Sequence, residues 1–245
     1  MPPAEVCPPG ECCELETRFL LNLTRRGGMV VEVGANMGIH TVPLAQTLAA
    51  QGRQVLAFDP QRVFFRQFCA NLPLNGLTNA LSYVCGAEAG VVTFAEPNYR
   101  PLGDFGGISM ETAEQVSPVR VPCVRVDDVV NTEHVGPLKV GVEWFELKAL
   151  QGAASTVQRC RPLLYVENDR LDRSRELLEW IWAAGHKLWW HKPLLFNPEN
   201  FFQVAANLYS GIASFNMLGV PREVNTNSKG MEIVVDSSSH PLTPK

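Results

Sequence analysis

Glu32, Gly34, Asn36 and Gly38 lie in the stretch Val30-Val31-Glu32-Val33-Gly34-Ala35-Asn36-Met37-Gly38, where an apolar run enters a turn with two glycines four residues apart. An apolar-periodic segment from Ile39 to Ala50 follows, so the pattern reads as strand, tight turn and helix. Such a turn brings backbone N–H groups and a positive helix N-terminus close to a ligand, because glycine has no Cβ in the way and tolerates positive φ. The expected ligand is nucleotide-like. The pattern is neither GxGxxG nor a phosphate-gripping loop with its Lys-Ser/Thr pair. Glu32 would repel a pyrophosphate but suits a cationic amine. S-adenosylmethionine carries an amine, a carboxylate and a sulfonium, and so fits both the acid and the helix end. The plainer alternative is a buried strand-to-helix turn of an α/β protein.

Further candidates fall where later strands end. Gln54 to Phe58 is a short apolar run closing at Asp59-Pro60, roughly twenty residues past Gly38, the spacing at which doubly wound folds hydrogen-bond a ribose. Asp59 either does this or caps the next helix, Arg62 to Leu72, whose Phe64, Phe65, Phe68, Cys69 and Leu72 share a face. After a third strand, Leu81 to Cys85, Glu88 either meets an adenine amino group or sits in a hairpin loop before Val91 to Phe94.

The elements that must position these groups alternate between strand and helix. A helix over Glu14 to Thr24 packs beside the first strand, and Asn98 to Gly107 is an irregular loop or lid. Strands are expected over Val119 to Val126, Leu138 to Val142, Leu163 to Val166 and Lys187 to Trp190. One amphipathic helix is expected from Phe145 to Val157, and another from Asp172 to Ala184 with Asp172 as N-cap and Gly185 as stop. His191 to Tyr209 reads as an aromatic loop, Ser214 to Val220 as a final apolar run, and the chain beyond Arg222 as a polar, mobile tail. The fold class is α/β: a doubly wound, mostly parallel sheet with helices on both faces and an antiparallel edge strand. The expected organisation is an N-terminal segment over 1–13, one domain over 14–223 and a C-terminal tail over 224–245.

A formal net charge of -4 and a pI near 5.8 argue against a grip on nucleic-acid backbone. With no secretory signal and no apolar run of membrane-spanning length, a soluble, cytoplasmic protein without a membrane partner is expected. The seven cysteines are an odd set scattered through predicted elements. Cys7, Cys12 and Cys13 lack the spacing and fourth ligand of a zinc site, so no metal is expected.

Several segments together resemble the FkbM-type methyltransferases: Val30 to Gly38; Phe58-Asp59-Pro60 with Asn71 and Leu74-Asn75-Gly76; Glu143-Trp144-Phe145-Glu146-Leu147 with Leu150-Gln151-Gly152-Ala153; Arg161-Pro162-Leu163 with Val166-Glu167; and Ser214 to Leu218. The resemblance covers about Gly28 to Pro221 and implies a class I, Rossmann-like fold that transfers the methyl group of S-adenosylmethionine, typically to a hydroxyl oxygen. It places Glu32, Gly34, Asn36 and Gly38 in the first cofactor loop and Asp59 on the ribose, where the family more often has Glu. The family commonly reads Lys-Ile-Asp-Val-Glu-Gly where this chain reads Lys139-Val140-Gly141-Val142-Glu143-Trp144. Gly141 thus removes an acid from the end of the central strand, and Trp144 adds a flat apolar surface.

Methyl transfer is an in-line displacement helped by a general base within hydrogen-bond reach of a hydroxyl nucleophile. Glu143, Glu167 and His191 are candidates, each falling at a strand's carboxyl end or on the loop over it. Their structural alternatives are helix capping for Glu143, a fixed hydrogen bond for Glu167 and an aromatic-loop contact for His191. His40 is expected in the first helical turn beside the cofactor. The acceptor is expected to be a small molecule or glycan. The competing functions are a cofactor-binding protein without transfer activity, acting as an interaction module, and an N-methyltransferase.

Overall fold

The computed structural model describes residues 11, 13–83, 88–95, 118–207, 209–226, 228 and 230–243. The loop expected over Asn98 to Gly107, with Cys7, Cys12 and Cys85, lies outside them. A helix α1 (Glu14–Leu23) precedes β1 (Met29–Val33), α2 (Thr41–Ala49), β2 (Val55–Phe58), α3 (Arg62–Leu74) and β3 (Ala80–Tyr83). A hairpin-like pair β4 (Gly90–Ala95) and β5 (Pro118–Cys123) stands apart, antiparallel. Then follow α4 (Val126–Val129), β6 (Val135–Val140), α5 (Glu146–Gln151), α6 (Ala154–Cys160), β7 (Leu163–Glu167), α7 (Leu171–Ala183), β8 (His186–His191), β9 (Asn216–Pro221) and β10 (Glu232–Val234).

Among the described residues, eight strands form one sheet in the order β10-β8-β9-β7-β6-β1-β2-β3. The neighbours from β7 to β3 are parallel, and β9 runs antiparallel between β7 and β8. The order reverses between β1 and β6, so a crevice opens at their carboxyl ends, where open α/β sheets bind ligands. The two final runs expected to add an antiparallel edge are β8 and β9, but β9 lies inside the sheet and the edge strand is β10, antiparallel to β8. It comes from the segment expected to be a mobile tail: Val234 is buried and anchors that segment to the main core.

Strand alternation sorts the side chains onto two faces. Val31, Val33, Leu138, Val140, Leu164, Val166 and Met217 pack with Leu150, Val157, Leu177, Leu178 and Ile181 on one face. Val30, Val55, Ala57 and Tyr165 pack with Leu20, Leu44, Leu48 and Phe68 on the other. Because Glu32, Lys139, Glu167, His191 and Asn216 sit at the opposite parity to the first set, they share the second face with α1 and α2.

Two local expectations are corrected. The helix expected from Phe145 to Val157 is two helices, because the Asp127 side chain accepts hydrogen bonds from Ser155 N, Thr156 N and Thr156 Oγ1 at 3.0, 2.8 and 2.7 Å and so starts α6 afresh. Asp172 is not the N-cap of α7; Arg170 holds that position and Asp172 lies in the first turn, where its charge still suits the helix dipole. Replacing Asp127 by Ala should lower unfolding free energy by about 1–2 kcal/mol, as loss of an N-terminal cap does. Urea denaturation checks this, with the midpoint falling and the slope unchanged.

Candidate active site

At the carboxyl end of β1 the chain turns through Gly34 and Gly38, both at positive φ (93° and 94°). A Cβ on Gly34 would stand 1.7 Å from the Gly141 carbonyl oxygen, and one on Gly38 2.9 Å from the Phe68 ring. Neither position admits another residue. Asn36 also takes a left-handed conformation, which its short polar side chain tolerates by accepting from Met37 N at 2.7 Å.

Glu32 is wholly buried and faces Lys139, its register partner on β6. Lys139 Nζ lies 3.6 Å from Glu32 Oε1 and donates to the Gly34 carbonyl oxygen at 2.9 Å, so one ammonium ties both strands to the turn. Thr41 Oγ1 donates to Glu32 Oε2, and His40 Nδ1 stands 3.7 Å from Oε1. Burial works to raise the Glu32 carboxyl, but His40, Lys139 and Thr41 outweigh it and hold it below its usual range. Burial likewise opposes the Lys139 charge, and Glu32, Glu16 and Glu167 hold its pKa up. Glu32 Oε1 nevertheless accepts no hydrogen bond.

The turn does not present N–H donors to a ligand, contrary to the expectation for it. Gly34 N and Ala35 N donate to Phe58 O, Gly38 N to Ala35 O, and Asn36 N to Asp59 Oδ2 at 2.7 Å. Asp59 Oδ1 accepts from Gln61 N at 2.9 Å at the start of α3, so Asp59 joins the two turns. Burial raises its pKa to about 7 against these two backbone donors. A carboxylate has about four acceptor sites, so two remain. What this end of the site offers is acceptor capacity on Asp59, since Glu32 is wholly buried between Lys139 and His40.

On the same sheet face, Tyr165 OH meets His191 Nδ1 at 2.8 Å, and Phe19 of α1 stacks on the His191 ring at 4.0 Å. Burial lowers the His191 pKa. His40 is not in the first turn of α2 but is its N-cap residue, with Nε2 3.9 Å from Glu16 of α1. His191 is thus an aromatic contact of α1, in one row with Glu167 across Asn216 of β9.

A cavity of about 180 Å³ opens at the carboxyl end of β7, between α5 and the start of α7, and includes Trp144, Glu146, Glu167, Asp169, Arg170 and Arg173 in its wall. Glu143 and Trp144 both have positive φ (40° and 78°), an unusual conformation for consecutive non-glycine residues. Glu143, Glu167 and Asp169 present carboxylate oxygens within 4.8 Å of one another. Arg170 pairs with two of them, Glu143 at 3.2 Å and Asp169 at 3.4 Å. Burial first, then the charges of Glu143 and Asp169, push Glu167 well above the carboxylate range. Burial raises Glu146 to about 7 although its Oε1 accepts from Val142 N at 3.1 Å. Glu146, not Glu143, reaches back over the start of α5.

The structure therefore brings Glu32, Gly34, Asn36, Gly38 and Asp59 together at the first turn, and Glu143 with Glu167 at the cavity. Glu88 is exposed on the bend before β4. Lys139, Glu146 and Arg170 carry much of the site without having been singled out. Lys139 had a legible signal, since a lone lysine inside a strand buried along its whole length needs a partner. Lys139→Met should cost about 3–5 kcal/mol by leaving Glu32 uncompensated. In urea denaturation the double variant Glu32→Gln/Lys139→Met should recover most of that loss.

The family model described as "Methyltransferase FkbM domain" matches residues 32–188, from the acid of β1 to the middle of β8. No curated protein matches the chain. Among solved structures, a methyltransferase FkbM from Methylobacillus flagellatus KT superposes with a TM-score of 0.53 at 14% identity, over 79% of this chain and 44% of that one. The present chain therefore spans less than half the length of that relative. A precorrin-6y C5,15-methyltransferase from Geobacter metallireducens GS-15 superposes with a TM-score of 0.50 at 9% identity, over 83% of this chain and 87% of that one. At such identities the two likenesses speak for the fold alone. Membership rests on the match that runs through the β1 turn, Asp59, Lys139 and the cavity, and by it this chain belongs to the FkbM methyltransferase domain family.

Proposed function

We propose that the protein is an S-adenosylmethionine-dependent O-methyltransferase acting on a hydroxyl of a small molecule or sugar. The observation that carries the reading is that the N–H groups of Gly34, Ala35, Asn36, Met37 and Gly38 are all consumed within the protein, while Asp59 keeps acceptor capacity. A site of this kind selects a ligand of donors, such as a ribose diol, over a phosphate. Asp59 would hold the ribose of S-adenosylmethionine, which supplies an electrophilic methyl group on sulfur, while Glu32, wholly buried, would fix the turn beside it through Lys139. Family membership supports the same chemistry.

The remaining work falls to this chain's own residues. Glu143 is engaged by Arg170, and His191 by Tyr165 and Phe19. Glu167 Oε2 instead stands 3.0 Å from where a Cβ on Gly141 would be, with Lys139 Nζ 3.4 Å from the same point. Glu167, which lines the cavity beside β7, would take the proton of an acceptor hydroxyl held there. Glu167 here fills the role of the acid missing at position 141.

Isothermal titration with S-adenosylhomocysteine should give micromolar or tighter affinity, and Asp59→Asn should weaken it at least tenfold; no heat with the parent protein would end this reading. The Glu167 base must be ionised to work. With its pKa raised, turnover should climb with pH over a range above that of an ordinary carboxylate. Glu167→Gln should lower turnover by about 10²–10⁴-fold and flatten that rise. An unchanged profile in the variant would remove Glu167 from the reaction.

A further inference from the structure

The loop between β8 and β9, residues 192–215, leaves the sheet at His191 and returns at Asn216, register partners in one row with Glu167. It therefore springs from the ligand edge of the sheet. Phe201 and Phe202 are consecutive on it and 74% and 63% exposed, their ring centroids 5.1 Å apart in a T-shaped pair. No other phenylalanine, tyrosine or tryptophan among the described side chains is exposed. Leu194 and Ile212, on the paired limbs of the loop, are exposed as well.

That exposure is built into the loop. Asn200 is buried; its Nδ2 donates to Asn197 O at 3.1 Å and Val204 O at 2.8 Å, and its Oδ1 accepts from Val204 N at 2.8 Å. Asn197, also buried, donates to Glu11 Oε1 at 2.7 Å, and Phe201 N donates to Glu11 Oε2 at 2.9 Å. These contacts fix the backbone around the two rings, which are held out in water instead of folding back onto the core. Apolar surface presented in this way marks a contact with something outside the chain.

Charge identifies the partner. From Asn200 to Ser214 there is no Asp, Glu, Lys or Arg, in a chain of which 19% is charged. The loop's own charges are Lys192, paired with Glu232 at 3.0 Å, and Glu199, so they cancel. It therefore has no cationic face for anionic headgroups, and no charged border of the kind that selects a protein partner. Two adjacent projecting rings would need a matching cavity in a protein, whereas the boundary between headgroups and acyl chains receives phenylalanine without one. A membrane partner was not expected from the sequence because no run is long enough to span, and no described helix is long and apolar enough to cross a bilayer. Adsorption through a loop requires neither. We propose that Phe201 and Phe202 dock the protein on a zwitterionic lipid surface, with Leu194 and Ile212 adding apolar contact, and so turn the ligand edge of the sheet toward that surface. Docking involves no methyl transfer and stands independently of the reading above.

Co-sedimentation of the full chain with phosphatidylcholine vesicles tests this directly. The parent protein should partition onto them equally at low and high salt, and should gain nothing when phosphatidylserine is added. Phe201→Ser/Phe202→Ser should keep its thermal midpoint, because both rings are exposed, while weakening partitioning about tenfold or more. Leu74→Ser, which removes an exposed side chain at the end of α3, should leave partitioning unchanged. In the parent, hydrogen exchange over residues 201–206 should slow when vesicles are added, and this decides the matter if the double variant fails to fold. A parent that stays in the supernatant, or whose exchange is indifferent to vesicles, overturns the proposal. Binding that survives the double substitution, that is lost equally in Leu74→Ser, or that depends on phosphatidylserine and low salt overturns it too. A dimer in gel filtration that the double substitution dissociates, without vesicle binding, assigns the rings to a second copy instead.

Discussion

The pairing of Glu32 with Lys139 is the constraint on which the rest of the site depends. Two opposite charges sit in register on the central strands, both buried, with the ammonium also donating to the carbonyl of Gly34. Desolvation of such a pair offsets much of its attraction, so its contribution is specificity of arrangement more than net stability. It sets the distance between β1 and β6, orients the glycine turn and draws the start of α2 inward through Thr41 and His40. Through His40 and Glu16 the same field reaches α1, which closes over that sheet face.

Glu167 lies between two environments. On one side Lys139 supplies positive charge; on the other, Glu143 and Asp169 supply negative charge, and burial adds to the cost of ionisation. The glycine at 141 lets this happen: any larger side chain there would crowd the Glu167 carboxylate or the Lys139 ammonium. A missing acid on β6 and a raised acid on β7 thus form one arrangement, in which the second occupies space released by the first. Trp144 completes it from the other side, held in the cavity wall with Arg170 and Arg173 against its ring at 5.0 and 5.3 Å.

The glycine turn was legible because it has few physical solutions: two positions at positive φ with no room for a Cβ leave only glycine. The place of Asp59 at the end of β2 was legible from spacing along the chain, which the strand–helix–strand unit makes nearly constant. The break between α5 and α6 was not, since it depends on Asp127, a residue far away in sequence whose carboxylate supplies the new helix start. Nor was the strand β10, whose only buried side chain is Val234 and whose place is set by a free edge on β8. His191 showed a catalytic residue type at a suggestive position, but its partners Tyr165 and Phe19 come from two other elements.

The sequence by itself determined the alternation of the main strands and helices, the doubly wound fold and the first turn, because each depends on periodicity or on spacing within one short unit, and several ordered segments together carried the family resemblance. Only the tertiary structure decided the arrangement of the site: that the turn spends its own N–H groups, that Lys139 compensates Glu32, and that Glu167 stands against Gly141. Those features arise where side chains from different strands meet in register on one face. Strand pairing sets that register, and it joins residues more than a hundred positions apart.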